Sequence, residues 1–282
     1  MSERSARKQT RRVLVSLGLY GVLVTTSPIV SAQPGETTDS PPPGPIVTDR
    51  PTASASPLVV PHSTFQLETG YKLSRTRDSS GTTNARVLPD LLMRYGINKR
   101  VEARVAAAGW TFESGPNERA TGFSDISLGA KIALADERGK RPQMGLLVGV
   151  SLPTGHSDHT GGTVAPRVLF LGSNSLSDRL GLTYNIGPSL VASTNNGESD
   201  TDAELEYAVA LSGPVGGPFS LFAELFGAFT FDSKLLDRHS FQAGTTILLS
   251  PRFQIDIRGG LGLVENEPDW LVGAGLAFRV PH

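Results

Sequence analysis

The chain contains no cysteine, which excludes disulfide staples, thiolate metal sites and cysteine nucleophiles together. An excess of one charge is missing too. The 26 basic and 27 acidic residues cancel to −1, which removes the electrostatic footprint of a nucleic-acid binder. No segment sustains a helical hydrophobic period. The longest apolar run, Val13 to Val30, is broken by Ser16, Gly18 and Thr25-Thr26-Ser27-Pro28. It falls short of the ~20 residues that a helical span requires. The hydrophobic fraction of 38% resembles that of a soluble protein, but it does not exclude a membrane barrel. In a barrel only alternate strand residues face lipid, and the rest face a polar interior. Pattern decides where bulk composition does not.

The amino terminus opens with Arg4, Arg7, Lys8, Arg11 and Arg12, continues into the apolar run and ends at Val30-Ser31-Ala32. This is the order of an export signal with a small-x-small cleavage site, so residues 1–32 are expected to be removed, leaving Gln33 first. Residues 33–61 shift to Pro, Ser, Thr and Gly, including Pro41-Pro42-Pro43. Such a composition offers little apolar surface to offset ordering entropy, and a flexible periplasmic stretch is expected. The remainder, 62–282, carries the fold.

From Phe65 onward the chain runs in segments of alternating apolar and polar residues, separated by turn-rich clusters. Phe65, Leu67, Thr69, Tyr71 and Leu73 oppose Gln66, Glu68, Gly70, Lys72 and Ser74. Val87, Pro89, Leu91, Met93 and Tyr95 oppose Arg86, Leu88, Asp90, Leu92 and Arg94. The theme continues through Val101–Ala108, Asp125–Leu134, Met144–Leu152, Val168–Phe170, Leu180–Leu190, Asp202–Leu211, Phe219–Phe231, Phe241–Leu249, Phe253–Leu263 and Trp270–Phe278. About twelve strands result, an even number, as single-chain bacterial barrels require. Connections alternate between short ones, such as Gly96-Ile97-Asn98-Lys99 and Ser250-Pro251-Arg252, and longer polar ones, such as 113–122 and 154–162. Aromatics gather near strand ends: Phe65, Tyr95, Phe219, Phe253 and Phe278 at one rim, and Phe231, Phe241 and Trp270 at the other. The pattern predicts an all-β, transmembrane, antiparallel up-and-down β-barrel in the outer membrane of a double-membraned bacterium. A secreted β-sandwich also alternates, but its strands are usually shorter, about five or six residues.

Several motifs resemble a known family. Val47-Thr48-Asp49-Arg50-Pro51-Thr52 leading into Phe65–Tyr71 is similar to the start of the outer-membrane family named for the meta-pathway of phenol degradation. Leu88–Gly96 resembles its second-strand motif, and Phe123–Lys131 with Ser151–Gly155 its central signature. The resemblance implies an outer-membrane transporter, with aromatic or other hydrophobic compounds among the suspected solutes.

With the apolar faces outward, the lumen is expected to be lined by Glu68, Lys72, Arg86, Asp90, Arg94, Glu102, Arg104, Asp125, Lys131 and Glu224. Such charges can select solutes, or they can pair across strands and fill the lumen. The expected function is an outer-membrane channel or passive transporter for small solutes. Its partners would be outer-membrane lipids, the barrel-assembly machinery during biogenesis, and a small-molecule solute. A structural or surface-interaction barrel without transport is the alternative. A lipid hydrolase is a weaker one, since His62-Ser63 and His239-Ser240 lack the His-x-Ser spacing of lipid-cleaving barrels. No cofactor and no metal are expected, because His156-Ser157-Asp158-His159 lies in a glycine-rich loop without further ligands nearby.

Overall fold

The computed structural model describes residues 44–79, 81–116, 119–195, 198–231, 236–265 and 267–280, with the side chains of 192–200 left aside. The predicted signal peptide and the first part of the Pro-rich stretch lie outside these residues. Among the described residues there is no helix. Fourteen strands run in chain order: β1 Phe65–Asp78, β2 Gly81–Gly96, β3 Val101–Ala107, β4 Trp110–Ser114, β5 Arg119–Phe123, β6 Ile126–Ala135, β7 Gln143–Leu152, β8 Ala165–Ser177, β9 Leu180–Asn195, β10 Glu198–Gly216, β11 Phe219–Thr230, β12 Arg238–Ser250, β13 Phe253–Gly262 and β14 Trp270–Val280.

Strand β2 pairs with β3 over its last residues and with β4 further along, while β5 and β6 pair with β4 and β3. Thus β3 with β4, and β5 with β6, are two interrupted strands, and the wall has twelve staves. Every pairing is antiparallel, and β1 closes the ring against β14 from Phe65↔Val280 to Arg75↔Trp270. Among the described residues the wall closes through β6 and β7, and only β5, which pairs with β4 alone, keeps an edge at the loop end. Closure removes the unpaired backbone groups that lipid cannot satisfy.

The burial pattern is inverted relative to a soluble protein. Ile257 and Leu221 are 54% and 50% exposed, whereas Lys131 and Arg94 are 0% and 1% exposed. Only a barrel with lipid outside and a polar interior makes that arrangement favourable. Phe65, Tyr95 and Phe219 lie exposed at the end where the connections are short, as an interfacial girdle requires.

The alternation read from the sequence holds on most staves and fails on β2. Gly70 faces Asp90, but Lys72 faces Val87, so Leu88 and Pro89 together oppose Tyr71. This bulge adds one residue to β2 and inverts everything beyond it. Proline suits the position because it has no N–H to lose from the ladder. Val87 therefore points inward and is buried, and Arg86 points outward, level with Leu73 and Phe112.

A second correction concerns the Pro-rich stretch. Its described part, residues 44–61, is threaded into the barrel. Ile46, Asp49, Ala55 and Val60 are each no more than 1% exposed. The segment starts against the β12–β13 turn, where Ile46 N donates to Pro251 O (2.8 Å). It rises into the lumen and returns to the same end, where Ser63 N donates to Gly96 O (2.8 Å) before β1 begins. Barrel diameter grows with strand number, and twelve staves leave room inside for a polypeptide.

Candidate functional site

Residues 44–61 form a plug, and its contacts with the wall define the site. At its base the Asp49 carboxylate accepts from Lys131 Nζ (2.7 Å) and from Arg104, with Arg94 Nη1 3.6 Å away. These cations are shared with Glu102, which is 2.9 Å from Arg94 Nη2 and 2.8 Å from Arg104 Nη1. Arg94 also donates to Glu68 Oε1 at 2.9 Å. Three cations thus meet three carboxylates, one of which belongs to the plug. Buried charges persist only when paired and hydrogen-bonded in this way.

The wall also binds the plug through its backbone. Glu68 Oε2 accepts the N–H groups of Asp49 and Arg50, both at 2.8 Å. Glu102 Oε2 accepts Val60 N at 2.7 Å, and Lys131 Nζ donates to Leu58 O at 3.1 Å. Near the tip, Glu224 accepts Ala53 N (2.7 Å) and Ser54 N (2.8 Å). Asn185 accepts Ala55 N and donates Nδ2 to Ala55 O (2.8 Å), so one side chain stands in for a strand neighbour. Ala55 also seats against Leu147, Leu169 and Leu171, which face inward and are buried. A segment without regular secondary structure must satisfy its backbone elsewhere, and these wall groups do so.

Of the residues expected to line the lumen, Glu68, Asp90, Arg94, Glu102, Arg104, Lys131 and Glu224 gather around the plug, and Lys72 lies inward above it. Two are placed elsewhere. Arg86 is on the outer face, for the reason given by the bulge. Asp125 sits at the break between β5 and β6, where it accepts Gly155 N (2.8 Å) and Gly161 N (2.9 Å). It anchors the β7–β8 loop and is not a wall charge. The sequence reading missed the plug residues Asp49, Arg50 and Ser54, and the wall residue Asn185. Asp49-Arg50 stood inside a family-like motif, the one signal that could have marked them.

That loop folds over the inner face at the other mouth. Gly122 is buried opposite Thr111, and a Cβ added there would collide with His156 and lie 3.0 Å from His159 Cδ2. His156 Nδ1 and Asp158 Oδ2 are 3.7 Å apart and largely exposed. Burial holds His159 below the ordinary histidine pKa. The unfolded loop therefore takes up the proton first, so the folded loop is favoured above the ordinary histidine pKa and loses that preference as pH falls through it. Hydrogen exchange at the Gly155 and Gly161 amides, corrected for intrinsic rate, is expected to be protected at pH 7 and faster at pH 5. Equal protection at both would show that His159 does not hold the loop.

Higher in the lumen, Arg167 pairs with Glu206 (2.9 Å) and Arg238 with Glu204 (2.6 Å). The interior is thus charged along its height, with the plug closing the turn side and an inward loop narrowing the loop side.

A family described as "Putative MetA-pathway of phenol degradation" matches residues 48–280. The chain belongs to this family. The match begins within the plug and runs to the last strand, so the family's sequence pattern includes the segment that fills the barrel. None of the curated proteins compared matches the chain. Among solved structures, an outer membrane channel of Pseudomonas putida F1 is similar with a TM-score of 0.62 at 14% identity, over 79% of this chain and 97% of that one. The NanC porin has a TM-score of 0.49 at 8% identity, over 77% and 100% of the two chains. The CymD monoaromatic hydrocarbon channel has a TM-score of 0.39 at 10% identity, over 79% and 90%. The likeness to the Pseudomonas protein supports the barrel fold.

Proposed function

We propose that this member of the family is an outer-membrane channel for small solutes, closed at rest by its own amino-terminal segment. The observation that carries the reading is the kind of contact the plug makes. A segment that merely filled space would be served by apolar side chains. This one is held by exchangeable hydrogen bonds and ion pairs to Glu68, Glu102, Lys131, Asn185 and Glu224, groups that water can replace once the plug leaves. Its removal would expose a charged, wettable lumen. The Pseudomonas relative of similar fold is an outer membrane channel, which favours transport over a purely structural barrel. Outer-membrane location follows from the same architecture, and aromatic or hydrophobic compounds enter as solutes through the family description.

A lipid hydrolase finds less support. His239 bonds the Tyr207 hydroxyl through Nδ1 (3.0 Å), while Ser240 Oγ donates to Glu267 (2.8 Å) on the other face of the wall. Histidine and serine on opposite faces cannot form a nucleophile–base pair.

The test is single-channel recording of the refolded mature chain in a planar bilayer. Brief openings separated by long closures are expected, becoming steady conductance when residues 44–60 are deleted. A folded, plug-deleted barrel that stays silent would remove the channel reading.

A further inference from the structure

Two neighbouring rows on the inner wall carry opposite charges, and the plug engages them unequally. In the lower row Asp90, Gly70, Gly275 and Asp256 stand side by side on β2, β1, β14 and β13. The plug's Arg50 lies across the two glycines. A Cβ on Gly70 would collide with its Nη2, and one on Gly275 would come within 2.8 Å of that atom. Arg50 bonds Asp90 through Nη1, and its Nη2 is 3.8 Å from Asp256 Oδ1. The lower row is a fitted seat for a guanidinium.

The row above has the same form with the charges reversed. Lys72, Gly273 and Arg258 stand side by side on β1, β14 and β13. Gly273 contributes no side chain, and Arg258 lies over it, its Nε 3.1 Å from where a Cβ would stand. The Cα atoms of the two cations are about 10 Å apart at sheet spacing. Lys72 makes no hydrogen bond or ion pair with any described residue. Arg258 Nη1 donates to Pro51 O (2.5 Å) and Gln242 Oε1 (3.3 Å), but its buried Nε has no acceptor, nor do Nε and Nη2 of the buried Arg50 below. None of the nearby carboxylates bonds Lys72. Asp90 is bonded by Arg50, with Arg258 Nη2 3.7 Å away, and Asp256 in the lower row stands 3.8 Å from Arg50 Nη2 with neither oxygen hydrogen-bonded. Glu267 accepts from Ser240, and Glu113, which also acts on Lys72, is not within ion-pair distance of it.

We propose that Lys72 and Arg258, with Arg50 beneath them, form a binding site for the carboxylate of a small anionic solute arriving from the loop side. The wall supplies two cations on either side of Gly273, and the incoming carboxylate supplies an acceptor to the Lys72 ammonium and to the unbonded Arg258 Nε. This deepens the channel reading and rests on it, since the site faces the lumen above the plug.

The experiment titrates the full mature chain, folded in detergent, with benzoate and with its neutral isostere benzamide, following binding by calorimetry. Benzoate is expected to bind at least about tenfold more tightly than benzamide, because charge-assisted hydrogen bonds form only with the anion. Lys72→Gln is expected to weaken benzoate about tenfold and leave benzamide unchanged. The substitution should leave the plug seated, since Lys72 touches none of it. Retention of the fold is checked by circular dichroism. Equal affinity for the two ligands, no benzoate binding, or indifference to Lys72→Gln overturns the site even where the barrel conducts. Benzoate binding that depends on Lys72 in a barrel that never conducts keeps the site and removes the channel reading.

Discussion

Asp49→Ala is expected to convert a mostly closed barrel into one that conducts steadily. Asp49 is the plug's carboxylate in a group of three cations and three carboxylates, and it is wholly buried. Without it Arg104 loses one of two carboxylate partners, Lys131 loses its hydrogen-bonded one, and the cluster carries an uncompensated positive charge. Breaking a buried pair by deleting one partner typically costs about 3–5 kcal/mol. The cost falls on the docked state, because in the undocked state water can reach the wall cations. At about 1.4 kcal/mol per tenfold, the docked-to-undocked ratio drops by about two to three and a half orders of magnitude. Glu68 and Glu102 keep their bonds to Arg94, so the wall should stay intact. Asp49→Asn preserves the shape and one acceptor and should lie between alanine and wild type. Open probability in a planar bilayer measures the effect. A folded Asp49→Ala barrel with wild-type gating would mean that the plug's seat does not depend on this cluster.

How much of this was legible in the sequence differs by level. The staves were, because period-two alternation needs only local residues: Tyr207, Val209 and Leu211 face outward and Ala208 and Ala210 inward, as their parity requires. Parity fails where an extra residue enters the ladder or a strand is interrupted. Arg86 was misplaced by one bulge, at Leu88-Pro89, whose position depends on a pairing partner that a single strand does not reveal. Asp125 was misplaced because its apparent strand is broken just before Ile126. The plug was hidden for a deeper reason. Composition correctly shows that residues 44–61 cannot fold around apolar groups of their own. It does not show that Glu68, Asn185 and Glu224, as many as 171 positions away, supply the missing hydrogen-bond partners. The inward charges that looked like pore lining and the polar segment that looked flexible are two halves of one interface. Each half is anomalous alone, and the anomaly resolves only when both are placed in the lumen.

That interface makes a reversible experiment possible in a chain without cysteine. Ala55 and Asn185 exchange two hydrogen bonds through a single short side chain, so cysteines at these positions would be immediate neighbours across the plug–wall interface. Ala55→Cys combined with Asn185→Cys is therefore expected to tie the plug tip to β9 when oxidised, and no native thiol can divert the bond. The oxidised double variant should be closed throughout a recording, without even the brief openings of the wild type. Reduction should do more than restore those openings. The Asn185 clamp on both backbone groups of Ala55 is gone, so the reduced protein should open more often than wild type. Neither single variant can form the bond, so both should ignore the reductant. Asn185→Cys, which lacks the clamp, should match the reduced form, and Ala55→Cys, which keeps it, should stay close to wild type. The ordering oxidised, wild type, reduced follows only when the plug moves to open the lumen. A confirmed cross-link that leaves conductance unchanged would place the gate elsewhere, at the inward β7–β8 loop held by Asp125.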